Sequence, residues 1–148
     1  MLNPALLAVV AAAAAEEYER ASREPMPWPL TFLVAPLVLH RNTREALPRT
    51  TRSHLSTWVT KNPLLRAGFP QRAKSLAGPV RQGVRFGLAN GWLILTEDGD
   101  LRGALVQSAR PSSVGDITAI VRSAGLVGKW LTKLERPATA FALLGVAP

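Results

Sequence analysis

Two histidines, ten carboxylates and no cysteine are all that this 148-residue chain offers for catalysis or metal binding. A thiol nucleophile, a cysteine zinc site and a cysteine-ligated iron–sulfur cluster are thereby excluded. His40 and His54 stand fourteen residues apart, and neither has a carboxylate or a second histidine beside it at ligand spacing, so local capping or pairing is their expected use. Glu97, Asp98 and Asp100 could bind a divalent cation, but with Gly99 among them they read as the tip of a hairpin, where acids serve the turn. Gly128-Lys129 has the ending of a phosphate loop, yet Trp130 and Ser123 fill the flanking positions that such a loop needs for other residues. Gly-x-Ser-x-Gly, Ser-x-x-Lys and a glycine-rich dinucleotide loop are all absent from the sequence. The expectation is a protein that is not an enzyme, with no catalytic residue, no metal and no cofactor.

Charge is where the sequence is specific. Residues 41–85 hold ten basic side chains against one acid, Glu45, whereas the other eight basic residues face nine acids, so the net +8 of the chain sits in its central third. A block of this kind suits a polyanion, nucleic acid above all, or an acidic protein face, and its bland alternative is a solvated basic surface. Arg81 and Arg85 are one helical turn apart and are the expected first phosphate contacts, supported by Arg49, Arg52, Arg72 and Lys74.

The elements that must carry these residues read mostly as helices. Asn3-Pro4 is a capped start, and Leu6, Leu7, Val10, Ala14 and Tyr18 make one face of a helix running to about Arg23. Pro25, Pro27 and Pro29 mark an extended connector, followed by an apolar run at residues 30–39 that Pro36 turns into a short kinked helix rather than a central strand. Asn42 and Glu45 have the spacing of a helix start, and Thr50 or Thr51 can cap the next helix, which shares Leu55, Trp58 and Val59 on one face and stops at Asn62-Pro63. Residues 64–77 form a third helical stretch, and Gly78-Pro79 opens a fourth, with Val80, Val84 and Leu88 inward, Arg81, Gln82 and Arg85 outward, and Asn90-Gly91 at its end. The strand-like residues 92–96 and 101–106 flank Asp98-Gly99, a strong hairpin signal. Ser113 and Asp116 have capping-box spacing and begin a last long helix with Ile117, Ile120, Val121, Ala124, Val127, Leu131 and Leu134 as its apolar stripe.

Helices followed directly by a hairpin give the order of a winged helix, in which the helix before the hairpin enters the DNA groove. The fold class is therefore mainly α with a β-hairpin: a winged-helix-like domain with flanking N- and C-terminal helices. One domain is expected over residues 1–148, comprising an apolar helical segment at 1–40, the winged-helix-like core at 41–106 and a C-terminal helical segment at 107–148. Residues 4–15, 25–39 and 137–148 carry no charge, yet the first two are too short or too proline-rich to span a bilayer, so no membrane association is expected and the location is cytoplasmic. That much uncharged sequence leaves apolar surface for a partner, and Leu131, Leu134, Phe141 and Leu143 are its expected contacts.

Asn3-Pro4-Ala5-Leu6-Leu7, residues 29–40, Thr43-Arg44-Glu45-Ala46-Leu47-Pro48, Leu55-Ser56-Thr57-Trp58 and residues 125–130 together resemble the middle component of bacterial three-component ABC systems, over most of the chain. The resemblance implies a small non-catalytic subunit that acts with an SMC- and Rad50-type ABC ATPase and a large effector nuclease in anti-phage defence, as in the group called Lamassu. It also implies a winged-helix fold like that of accessory SMC subunits, and it brings no functional residues to carry over. An adaptor that bridges ATPase and effector and contributes to DNA binding is the expected function. The alternative is a stand-alone winged-helix transcriptional regulator, which would need a symmetric dimer to read paired half-sites.

Overall fold

In the computed structural model, which describes residues 2–111 and 115–147, Asn3 accepts a hydrogen bond from the Ala5 amide at 2.8 Å and Pro4 takes the first helical position, starting α1 (Pro4–Ser22). Arg23 closes it in the left-handed conformation at φ 68°. Nine consecutive residues, Leu7 to Ala15, are buried. An amphipathic surface helix would bury only one stripe, so this stretch must be enclosed on every side. Its run of five alanines, residues 11–15, makes that possible by letting neighbouring backbones approach closely.

The neighbours are α2 (Thr31–Leu39), α5 (Pro63–Ala89), α6 (Asp116–Leu131) and a hairpin of β1 (Leu93–Leu95) and β2 (Leu101–Gly103). Glycines bring three of them in. A Cβ on Gly128 of α6 would overlap the Ala14 carbonyl, one on Gly103 of β2 would overlap the Ala12 carbonyl, and one on Gly83 of α5 would overlap the Leu7 side chain. The hairpin is antiparallel, with Ile94 opposite Arg102, and Met26 extends it by exchanging two backbone hydrogen bonds with Leu101. Glu16 then fastens the chain beyond β2: it accepts from the Leu105 amide at 3.0 Å and from Arg110 at 3.1 Å.

The smaller helices α3 (Arg41–Ala46), α4 (Leu55–Lys61) and α7 (Pro137–Leu144) complete a mainly helical fold with a two-stranded hairpin and flanking helices. The short helix expected around Pro36 is present as α2, and Asn62-Pro63 ends α4 as expected. Other expectations are corrected. The third and fourth helical stretches are one helix of 27 residues, because Phe69, Ala73, Val80, Gly83 and Gly87 form a buried stripe that passes Pro70 and Pro79 in phase. Burial along that stripe outweighs the hydrogen bonds the two prolines cannot make. His40 rather than Asn42 caps α3, and neither Thr50 nor Thr51 caps α4, which begins at Leu55. The last long helix ends at Leu131, short of Leu134, and Ile117 at its start is 54% exposed instead of inward. Ser113 lies outside the described residues.

The close approach at α1 makes different predictions for two helical glycines. Gly128→Ala should destabilise the protein by roughly 1–3 kcal/mol through overpacking, although alanine is the better helix former. A Cβ on Gly78 would meet nothing within 4 Å from the elements around it. There the helix propensity gained by alanine is opposed by Pro79, whose ring crowds the Cβ of a preceding helical residue, so Gly78→Ala should change stability by less than about 0.5 kcal/mol. Urea unfolding of the two variants checks both magnitudes.

Candidate functional site

The outward face of α5 is set by the stripe that buries its inward face. Gln71, Lys74, Ser75, Gly78, Arg81, Gln82 and Arg85 are exposed along it, without an acid among them. From Lys74 to Arg85 this face runs about 16 Å at the usual helical rise. Among the described residues, Lys74, Arg81 and Arg85 form no ion pair, whereas the four ion pairs present join Arg20 to Glu17, Arg41 to Glu45, Arg102 to Glu19 and Arg110 to Glu16. The cations of the helix face are therefore uncompensated.

Arg49 and Arg52 are also exposed but belong to the loop between α3 and α4. Two tryptophans pin that loop. Trp58 donates from its indole to the Ala46 carbonyl at 2.8 Å, Trp130 of α6 donates to the Ser53 carbonyl at 2.6 Å, and the two rings meet edge to face at 6.1 Å. Burying an indole requires a partner for its N–H, and here both partners are backbone carbonyls bracketing the two arginines.

Arg72 does not share the outer face. Its guanidinium turns inward, donating to the Thr43 hydroxyl at 3.0 Å and the Leu65 carbonyl at 3.2 Å, while its Nε is buried without a partner. Burial pushes this guanidinium below its ordinary pKa. Thr43, itself buried, lies 2.7 Å from the His40 Nδ1, which also accepts from the Thr43 amide at 3.3 Å. The hydroxyl thus takes a hydrogen bond from Arg72 and can donate its own proton to the imidazole. That arrangement needs an unprotonated Nδ1. Burial first, and then the nearby Arg72 charge, hold His40 below its ordinary value of 6.5. Arg72, expected as supporting charge on the basic face, instead joins α5 to α3 through Thr43. His54 stands exposed in the N-cap position of α4 without bonding there.

The hairpin tip is acidic and exposed at Glu97 and Asp98, with Gly99 at φ 84° and Thr96 accepting from the Gly99 and Asp100 amides. The hairpin's arginine, Arg102, is turned back to Glu19 of α1 at 3.6 Å. No cluster of three potential ligands capable of holding a metal exists among the described residues, and no helix among them is long and apolar enough to cross a membrane.

Of the four apolar residues expected at a partner interface, Leu131 and Phe141 are buried in the chain's own core, which leaves Leu134 and Leu143 half-buried. Exposed apolar surface lies instead at Trp28, Leu64, Ile94 and Leu95. Trp28 is the residue that sequence reasoning misses, because it sits within the proline-rich connector. A large aromatic between prolines, which cannot belong to a regular helix interior, is the signal that could have found it.

These features define a mainly helical, hairpin-bearing chain whose distinctive surface is a run of unpaired cations. Residues 1–148 match the family described as ABC-three component (ABC-3C) system Middle Component 3, and the chain belongs to that family. No curated protein and no solved structure matches it.

The His40 network generates a pH prediction. Well above pH 6.5 the imidazole is neutral in both the folded and unfolded chain. As pH falls the unfolded chain takes up its proton first, so this contribution to stability is lost down through the lower folded value and then levels off. Stability should therefore decline as pH falls through about 6.5 and below, and His40→Asn, which keeps a capping oxygen and removes the titration, should flatten that decline. Unfolding midpoints measured across the range check it.

Proposed function

We propose that this middle component is the non-catalytic adaptor of a cytoplasmic anti-phage complex of the Lamassu kind, bridging an SMC- and Rad50-like ABC ATPase to a large effector nuclease and adding a DNA contact of its own. The observation that carries the reading is the family match over residues 1–148. The uncompensated face of α5 supports the DNA contact, because cations held at fixed spacing on a rigid helix release counterions from a duplex without needing sequence readout. Arg81 and Arg85 make the first phosphate contacts, and Lys74, Arg49 and Arg52 add charge. Arg72 assists indirectly, by holding α3 and the loop beyond it against α5.

In a winged-helix-like reading, α5 takes the position of the helix offered to DNA and the hairpin that of the wing. The acidic tip at Glu97 and Asp98 repels phosphate, so the contact runs through the helix rather than the wing. Leu134 and Leu143 supply half-exposed apolar surface for a protein neighbour, as an adaptor requires.

The test is the salt dependence of duplex binding by the assembled complex. Reversing Arg81 and Arg85 to Glu removes two phosphate contacts, so the slope of log K against log salt should fall by about 2, with affinity lowered on every sequence. Both residues are exposed, and stability should change by less than about 0.5 kcal/mol for each. An unchanged slope would show that the basic face serves an acidic protein surface instead.

A further inference from the structure

A second row of unpaired cations lies on α6, apart from the α5 face. Arg122 and Lys129 stand seven residues apart on one side of the helix, about 10 Å at the usual rise, and Lys133 follows in the turn after it. All three are exposed, and among the described residues none of them is in an ion pair. Lys74 and Arg81 have the same seven-residue spacing on α5. The macrodipole favours cations at the end of α6, which accounts for Lys129 and Lys133, but Arg122 lies more than two turns before that end. Asp116, the one acid of α6, is in its first turn. Glu16 and Glu17 line the shallow groove beside Arg122 and Lys129, yet they already hold Arg110 and Arg20, so the row is left uncompensated.

The two rows are set apart by the core. α5 and α6 each pack on both α1 and α2 but share no substantial interface with each other, so the α1–α2 pair separates them. With helix axes about 8–10 Å apart at each contact, their outward faces stand on the order of 20 Å apart and look in different directions. A duplex laid along one row does not reach the other.

We infer that α6 is a second DNA-binding face, and that one copy of this chain holds two duplex segments at once, one along each helix. The inference rests on the DNA reading of α5 for the class of ligand, and on the α6 row for the second site. Charge complementarity with phosphate selects the occupant, because phosphates require only cations at fixed spacing. A protein interface is built around a desolvated apolar centre, and a lipid surface takes up apolar side chains, whereas no large apolar residue is exposed from Arg122 to Lys133.

Capture of a second duplex tests this with the full chain alone. One biotinylated duplex is held on beads, and retention of a fluorescent duplex is measured with and without protein, alongside the affinity for a single duplex in solution. The wild-type chain should retain the second duplex. Arg122→Gln, Lys129→Gln and Lys133→Gln together should cut retention at least about fivefold while single-duplex affinity changes less than about threefold, since α5 is intact. Arg122→Gln alone should give a partial loss. A charge-matched triple at exposed cations elsewhere, Arg23→Gln, Lys61→Gln and Arg136→Gln, should retain the second duplex as the wild type does. Thermal melts confirm that each variant is folded. A wild-type chain that binds one duplex but retains no second overturns the inference and leaves the α5 contact standing. Retention unaltered by the α6 triple, or lowered equally by the charge-matched triple, does the same. Absence of any duplex binding overturns both.

Discussion

Everything in this fold depends on enclosing the middle of α1. Nine buried residues in succession cannot be satisfied by one neighbour, and the alanine run at residues 11–15 offers little side chain with which to reach out. The surrounding elements must come to the helix, and glycine is what lets them: Gly83 from α5, Gly103 from β2 and Gly128 from α6. Close backbone contact of this kind gains dispersion from dense packing and tolerates almost no added volume. It also joins the two ends of the chain, since α1 and α6 share the largest of the helix interfaces.

The same constraint sorts the charges. With α5 pressed against α1 and α2 along its inner stripe, its other side is left to solvent and carries Lys74, Arg81 and Arg85 without ion-pair partners. Carboxylates of α1 are engaged locally, Glu16 on the segment after β2 and Glu19 on Arg102. The acids nearest the hairpin are thereby engaged, while Lys74, Arg81 and Arg85 stay free along α5. Uncompensated positive charge is costly in isolation, and a partner that neutralises it would recover that cost.

Much of this is legible in the sequence. Asn3-Pro4 announces α1, Pro36 a short helix at α2 rather than a central strand, and Asp98-Gly99 the hairpin, because caps, prolines and turn glycines act through local geometry. The break expected at Gly78-Pro79 is absent for the opposite reason: local punctuation argues for two helices, while a tertiary stripe shared with Gly83 and Gly87 holds one. Glycines count as breakers locally, and only the facing alanines reveal them as contact points. Arg72 reads as one more surface cation since its sequence neighbours are basic, and nothing in the sequence signals that Thr43, twenty-nine residues earlier, draws it inward. Leu131 and Phe141 read as partner contacts because apolar runs near the C-terminus have no visible partner in one dimension, whereas in three dimensions they join the core around α1. The resemblance to the middle component of three-component ABC systems is the most informative reading, and the family match spans residues 1–148.

The central claim is that this chain bridges two larger proteins, and size-exclusion chromatography with light scattering tests it most directly. The ATPase and effector proposed as its partners are co-expressed with and without this chain, and the mass of each eluting species is measured. The account predicts one complex containing all three proteins when the chain is present, and separate ATPase and effector when it is absent. An ATPase–effector complex of the same stability without the chain, or a chain that elutes alone beside them, would contradict it.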